Sequence, residues 1–140
     1  MNKIELTPYD IHIGEWVYGH HAEGSDEQAN GSDIYYPVCI DSIKADEIET
    51  TEGEVYSYNQ LSPIPFNQET VKMFNWNDNM KTVPDVISLH RNWQTEEMFF
   101  RYTIGNRRMR EIHGLTSIHE AQQWFYQTYK KPLVLTITNP

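Results

Sequence analysis

Residues 35–66, YYPVCIDSIKADEIETTEGEVYSYNQLSPIPF, carry the densest strand-and-turn signal in the chain, and the fold follows from reading them first. Val38, Ile40 and Ile43 precede the charged turn Lys44-Ala45-Asp46-Glu47, and Ile48 opens a short segment that ends at Thr51-Glu52-Gly53-Glu54. That is the pattern of two strands joined by a tight polar turn. A third strand is expected at Val55–Tyr58, with Val55, Ser57 and Asn59 facing one way and Tyr56 and Tyr58 the other. Leu61-Ser62-Pro63-Ile64-Pro65-Phe66 follows, where two prolines forbid a helix and fix an extended exit.

Towards the N-terminus, Asp10-Ile11-His12-Ile13-Gly14-Glu15-Trp16-Val17-Tyr18 alternates apolar and polar residues. Ile11 and Ile13 fall on one face, and Gly14 permits a bend before Trp16. It reads as the first strand pair of a small barrel. Gly19–Asp33 is rich in Gly, Ser, Asp, Asn and Glu and nearly empty of large apolar groups, so residues 19–33 are expected to form a long, flexible, exposed loop. Five short strands with a polar loop after the first place residues 1–66 in the SH3-like barrel class, by fold-level analogy.

Towards the C-terminus, Asn67–Asn75 reads as a short helix with Asn67 as N-cap, Glu69 at the positive end of the dipole, and Val71 and Phe74 facing a sheet. Trp76-Asn77-Asp78-Asn79 suits a turn. Val83–His90 is an extended segment with Val86 and Leu89 inward. Met98–Ile104 and Arg107–Ile112 form a hairpin turning at Gly105-Asn106. Ser117 and Glu120 have capping-box spacing ahead of an amphipathic run in which Ile118, Ala121, Phe125 and Tyr129 recur at helical spacing beside Trp124, with Gln122, Gln123 and Gln127 on the surface. Pro132 stops that helix, and Leu133–Thr138 is a last β-prone segment suited to a sheet edge or a second subunit. The expected architecture is a single α+β domain over residues 1–140: a small SH3-like β-barrel followed by a short helix, a β-hairpin and a closing amphipathic helix.

A chain of 140 residues is long enough for one domain with a core that needs no staples. Cys39 is the single cysteine, so no intramolecular disulfide forms and a reducing, cytoplasmic compartment is expected; its place between Val38 and Ile40 makes it a small core residue. The segment Met1–Glu5 is polar with no apolar stretch after it, and no window is apolar enough for a membrane span. The net charge of −9 is unevenly distributed: residues 1–60 hold thirteen acids against Lys3 and Lys44, whereas residues 61–140 hold seven acids against nine bases. A duplex nucleic acid would be repelled by the first half. Nine Tyr, four Trp and five Phe exceed what a core of this size requires, which points to aromatics at an interface or a ligand site.

No specific catalytic signature is present: there is no Gly-x-Ser-x-Gly elbow, no Walker loop and no Gly-x-Gly-x-x-Gly, and no catalytic residue is assigned. His20-His21 beside the acidic loop, and His113 six positions before His119, lack the spacing that puts two ligands on one helix face, so neither a metal nor another cofactor is expected. A metal-assisted nucleotide hydrolase using His20, His21 or His113 is the enzyme alternative. The hairpin is the strongest binding candidate, because Arg101, Arg107, Arg108 and Arg110 stand against Glu111 alone. Alongside Tyr102 and Trp93 they would pair guanidinium forks with phosphates and aromatic rings with a base. The competing reading is a solvated strand face whose arginines pair with the acidic half or a neighbouring subunit.

Ile13-Gly14-Glu15-Trp16-Val17, Tyr36-Pro37-Val38 with Ile43, Leu61-Ser62-Pro63-Ile64-Pro65-Phe66 and Ile118-His119-Glu120-Ala121-Gln122 together resemble an uncharacterised family of small proteins from gut Bacteroidetes and their phages. The resemblance spans most of the chain. Phe66-Asn67 stands where that family has Leu-Thr, Ala121 where it has leucine, and the tail after Leu133 is longer. It carries over no catalytic residue, but it implies a phage or mobile-element protein acting in the cytoplasm of a bacterial host cell. The expected function is non-enzymatic binding of a small anionic ligand, in its sharpest form the sequestration of a signalling nucleotide of bacterial antiviral defence. A homo-oligomer is compatible with that role. The alternative is an acidic protein-interaction module that masks a host protein.

Overall fold

The computed structural model describes residues 6–21, 34–76, 80–81, 83, 85–105 and 107–138, with the backbone alone at His21 and Ile34. Among these residues the chain is mixed α+β, with two antiparallel sheets and two α-helices, and none of the helices is long and apolar enough to cross a membrane. It forms two compact units, Met1–Ile64 and Pro65–Pro140.

The first unit is a five-stranded sheet of β1 (Trp16–His21), β2 (Ile34–Ile43), β3 (Glu47–Thr50), β4 (Val55–Ser57) and β5 (Leu61–Ser62), in the order β4-β3-β2-β1-β5. The first strand begins at Trp16, not at Asp10 as the alternation suggested. Carboxylates capture the preceding backbone: Asp10 Oδ2 accepts from Thr7 N and Oγ1 at 2.9 Å each, and Glu15 Oε1 accepts from His12 N at 2.9 Å. Two back-to-back turns result. They leave Ile13 exposed, whereas Ile11 is buried. Of the loop expected at 19–33, the first three residues continue β1, paired as Gly19↔Tyr36, His20↔Tyr35 and His21↔Ile34; residues 22–33 lie outside the described set.

The polar turn at Lys44–Asp46 joins β2 to β3 as expected, closed by Lys44 N donating to Glu47 O at 2.9 Å. Tyr56 points inward and is fully buried while Val55 points out, the alternation read from the sequence. Tyr58 leaves the strand: Tyr58–Gln60 is a 3₁₀ turn begun at Ser57, whose N–H donates to Gln60 Oε1 at 2.9 Å. All five strands supply one core, through Val17, Val38 and Ile40, Ile48, Tyr56 and Leu61, with Leu6 and Ile11 added from the N-terminal turns. No ladder joins β4 to β5 among the described residues, so the expected barrel is open in its hydrogen bonding.

The second unit contains α1 (Gln68–Val71), β6 (Ile87–Arg91), β7 (Met98–Tyr102), β8 (Arg110–Ile112) and α2 (Ile118–Tyr129), its strands ordered β6-β7-β8. Asn67 caps α1, accepting from Thr70 N at 3.0 Å. That helix is a single turn, not the run to Asn75. Trp76 Nε1 takes the Val71 carbonyl at 2.8 Å, and residues 73–75 turn to pair with the tail, Asn75 N to Thr136 O and Thr138 N to Met73 O at 2.8 Å each. The β-prone tail thus finds its partner within its own unit, bridged at Phe74↔Ile137.

Val83 is buried and Val86 is exposed, the reverse of the inward Val86 expected. The Val86 carbonyl accepts Thr103 N at 2.9 Å, and the alternation from there turns the side chains of Ile87 and Leu89 towards the face that holds Phe100 and Tyr102. That face carries a continuous ring cluster. Phe100 stacks on Phe66 and Trp124 with centroids 5.6 and 5.1 Å away, Trp76 lies tilted at 5.9 Å, and Tyr102 meets Trp124 edge-on at 4.9 Å. Much of the aromatic excess is therefore core.

Ser117 caps α2, its Oγ accepting from Glu120 N at 3.3 Å, while the Glu120 carboxylate closes the reciprocal bond one residue early, on Thr116 N and Oγ1 at 2.8 Å. Gln122, expected on the surface, is buried and donates to Leu133 O at 3.0 Å. The helix ends at Lys130, in the left-handed region with φ of 60°, two residues ahead of the proline expected to stop it.

Candidate functional site

The β7–β8 hairpin distributes its arginines rather than aligning them. The register Arg101↔Glu111 and Tyr102↔Arg110 puts Arg101 on the outer face of the sheet and Arg110 on the face of Tyr102. Tyr102 is buried in the ring cluster. Arg107 and Arg108 fall in the connection between the strands, which is longer than the tight turn expected: β7 ends at Tyr102, not Ile104, and β8 starts at Arg110, not Arg107. Residues 103–105 are drawn towards β6 instead, because Thr103 N donates to Val86 O at 2.9 Å and Gly105 N donates to Asp85 Oδ1 at 2.6 Å, while Thr103 O accepts the Tyr129 hydroxyl of α2 at 3.1 Å. Arg107, Arg108 and Arg110 are exposed and form no ion pair among the described residues. Trp93, on the turn between β6 and β7, is 77% exposed and lies under the Arg91 guanidinium, 3.8 Å from its ring centroid.

Arg101 belongs to a different constellation. Its Nε and Nη2 donate to Glu111 Oε2 at 3.1 and 2.9 Å. The other Glu111 oxygen meets His113 Nε2 at 2.8 Å, and His113 Nδ1 meets Glu97 Oε1 at 3.2 Å; the second Glu97 oxygen accepts Gly114 N at 2.9 Å. The Glu111 hydrogen bond, with Glu97 behind it, holds the His113 imidazole above its ordinary pKa. Gly114 N–H and then His113 hold Glu97 below its usual range, and His113 and then Arg101 do so for Glu111. Beneath this chain Phe99 is stacked with His113 at 4.5 Å and with His90 at 5.6 Å, and His90 Nε2 lies 2.7 Å from Ser88 Oγ.

A cleft of about 820 Å³ opens beside β6 in the same unit, lined by Lys72 and Lys81, by Phe74, Trp76 and Met80, and by Asp85 to Leu89. β6 is an edge strand among the described residues. Val86, Ser88 and His90 sit at hydrogen-bonded positions towards β7, so the backbone groups of Ile87 and Leu89 face away from that ladder. The Gly105–Asp85 bond ties the arginine hairpin to one wall of this cleft. No local sequence signal marks it: Lys72 and Lys81 stand nine positions apart and reach it through the fold alone.

The remaining candidates are dispersed. His20 stacks on Tyr35 at 4.8 Å, and the His21 side chain lies outside the described set. His119 is buried at the start of α2, with Nδ1 3.2 Å from Ser117 Oγ. Among the described residues no group of three or more His, Cys, Asp or Glu side chains is arranged to hold a metal. Cys39 is half-buried in β2, and burial, then the Asp41 charge, push its thiol pKa up, away from nucleophilic character. No family model, no curated protein and no solved structure matches this chain.

Proposed function

We propose that this chain is a non-enzymatic binding protein whose second unit holds a small anionic ligand in the cleft beside β6. The carrying observation is the cleft itself, lined by two lysines, by Phe74 and Trp76, and by a strand that is at the sheet edge among the described residues, in the half of the chain with the positive charge balance. Its volume falls in the range of about 300–1,000 Å³ typical of small-molecule sites. In this reading Lys72 and Lys81 supply point charges from the cleft lining, and Arg107, Arg108 and Arg110, which lie outside that lining on the hairpin tethered through Gly105, supply forked phosphate contacts to the exposed end of the ligand. Trp93 and Tyr102 are assigned no direct contact, and Arg101 is committed to Glu111. A phosphate-bearing molecule of nucleotide size fits this disposition, and the resemblance to phage-encoded proteins favours a signalling nucleotide held in sequestration. The first unit fits an SH3-like barrel by its strand order, its 3₁₀ turn ahead of β5 and its single core drawn from all five strands.

The test is mass spectrometry of small molecules released by denaturing the protein after incubation with cyclic and ADP-ribose-type nucleotides. One intact nucleotide at near-stoichiometric yield is expected. Lys72→Ala with Lys81→Ala, and separately Arg107→Ala with Arg110→Ala, should each weaken its retention roughly tenfold or more, because a charge-assisted hydrogen bond contributes about 1.5–3 kcal/mol. A cleaved product would replace sequestration with catalysis. Full retention by both double variants would remove the site from the cleft.

A further inference from the structure

We propose that the cleft beside β6 selects a ribonucleotide whose 2′,3′-diol is free: the open edge of β6 at Ile87 and Leu89 reads the base, and Asp85 takes the ribose hydroxyls. This rests on the reading of that cleft as a site for a phosphate-bearing ligand, and adds to it which nucleotide the cleft accepts.

The direction of the β6 backbone is fixed from both ends of its ladder. Thr103 N donates to Val86 O at 2.9 Å at one end of the β6–β7 pair, and Asn92 N donates to Glu97 O at 2.8 Å at the other. The register between them, Ser88↔Arg101 and His90↔Phe99, keeps the same parity, so Val86, Ser88, His90 and Asn92 all bond towards β7. The N–H and C=O groups of Ile87 and Leu89 therefore point out of the edge. Both residues line the cleft, and no strand covers that edge among the described residues. Each offers one donor and one acceptor side by side, the pair that a neighbouring strand would take up. The Watson–Crick edge of a nucleobase carries the complementary pair, as adenine does with its exocyclic amine and N1, so a base can stand where that strand would.

Asp85 is the second observation. A carboxylate in a cleft that also carries Lys72 and Lys81 works against a phosphate, and as a pure acceptor it calls for a donor. Its Oδ1 accepts Gly105 N at 2.6 Å, while Oδ2 takes no partner among the described residues. Ribose hydroxyls are such donors, and acidic side chains hold the ribose in dinucleotide sites by the same bond. Asp85 precedes Ile87 by two residues, so at most about 7 Å of chain separates them, on the scale of one nucleoside. The exposed Lys72 and Lys81 are left for the phosphates. A nucleotide closed through its 3′ oxygen has no free diol, so ADP-ribose-type ligands are retained and 3′-closed cyclic ones are not.

The test is calorimetric titration of the full chain with ADP, 2′-deoxy-ADP and inorganic pyrophosphate, with amide exchange of the parent followed in the presence of each. ADP should bind roughly tenfold tighter than 2′-deoxy-ADP, through one more hydrogen bond to a carboxylate. Asp85→Asn keeps an oxygen for Gly105 N and should bring the two affinities within about twofold of each other, a change in ratio that damage to the fold alone does not produce. ADP, and not pyrophosphate, should slow exchange of the Ile87 and Leu89 amides. Equal binding of ADP and 2′-deoxy-ADP by the parent, an unchanged ratio in Asp85→Asn, or equal protection of those amides by pyrophosphate would overturn the inference while leaving the cleft an anion site. Recovery of a 3′-closed nucleotide alone in the retention experiment would do the same. Binding of none of the three, with no nucleotide retained, would remove the underlying reading and this one with it.

Discussion

Tyr56 of β4 rests on Gly19 of β1, so closely that a Cβ at position 19 would sit 2.6 Å from its Cζ and 2.7 Å from its Cε1. In the hydrogen-bonded order β3 and β2 stand between these two strands. A flat sheet would hold strands so placed about 14 Å apart, at about 4.8 Å per step. The sheet must therefore curl strongly for the ring to reach, which is how five short strands enclose one core.

Gly19→Ala should destabilise the first unit by about 1–3 kcal/mol, because the ring is fully buried and its retreat would displace packed neighbours. Urea or thermal denaturation would read the change. A variant as stable as the parent would mean that the ring can move aside at no cost.

Gln122 offers a comparable test in the second unit. Its buried amide donates to the Leu133 carbonyl, holding the tail that pairs with residues 73–75. Gln122→Ala should cost about 1–3 kcal/mol by stripping a buried carbonyl of its donor, whereas Gln127→Ala on the exposed side of the same helix should lie within about 0.5 kcal/mol of the parent. Equal effects at the two positions would contradict a structural role for Gln122.

These two residues also mark what could be read without coordinates. Some turns and caps whose partners lie within about four residues were legible, namely the Lys44–Asp46 turn, Asn67 over Thr70 and Ser117 over Glu120, whereas the equally local turns closed by Asp10, Glu15 and Ser57 were hidden under an alternating pattern that reads as strand. Each of the legible ones depends on local backbone chemistry that the residue types announce. Helical spacing alone could not tell that Gln122 is buried, because the Leu133 carbonyl that requires it lies eleven positions on. The arginine hairpin was found as a segment, but the face each guanidinium takes depends on a register fixed by Thr103 and Gly105 bonding towards β6. The cleft gave no signal, since its lysines and strand edge come from segments with no pattern in common.

Two tyrosines should titrate late. Burial, followed by the charges of Glu54 and Asp85 respectively, raises the hydroxyls of Tyr56 and Tyr129 to about 12, against an ordinary value of 10.0. The folded state retains these protons where the unfolded chain has lost them, so stability falls as pH rises from about 10 to about 12. Ultraviolet titration of the phenolates should show a late component, to which Tyr58, raised by burial and then by Asp46, also contributes, and Tyr56→Phe should reduce it. A single unresolved transition near the ordinary value would contradict the assignment.

The chain from Glu97 through His113 to Glu111 and Arg101 predicts a pH window at the open end of the second sheet. His113 is raised above its ordinary 6.5, so its contribution is complete below that value and fades as pH rises through the folded pKa. Glu97 and Glu111 are lowered below their ordinary 4.5, so theirs is complete above it and fades as pH falls through their folded values. The three contributions are complete together between about pH 4.5 and 6.5. Because the groups are largely exposed, the effect is small and sensitive to salt. Protection of the Gly114 amide against exchange, taken relative to the intrinsic rate at each pH, should be greatest inside this window and fall on either side, because its N–H is held by Glu97. His113→Gln should flatten the profile above pH 6 while leaving the acid limb in place. A profile unchanged by that substitution would mean that Gly114 is protected by the surrounding backbone alone.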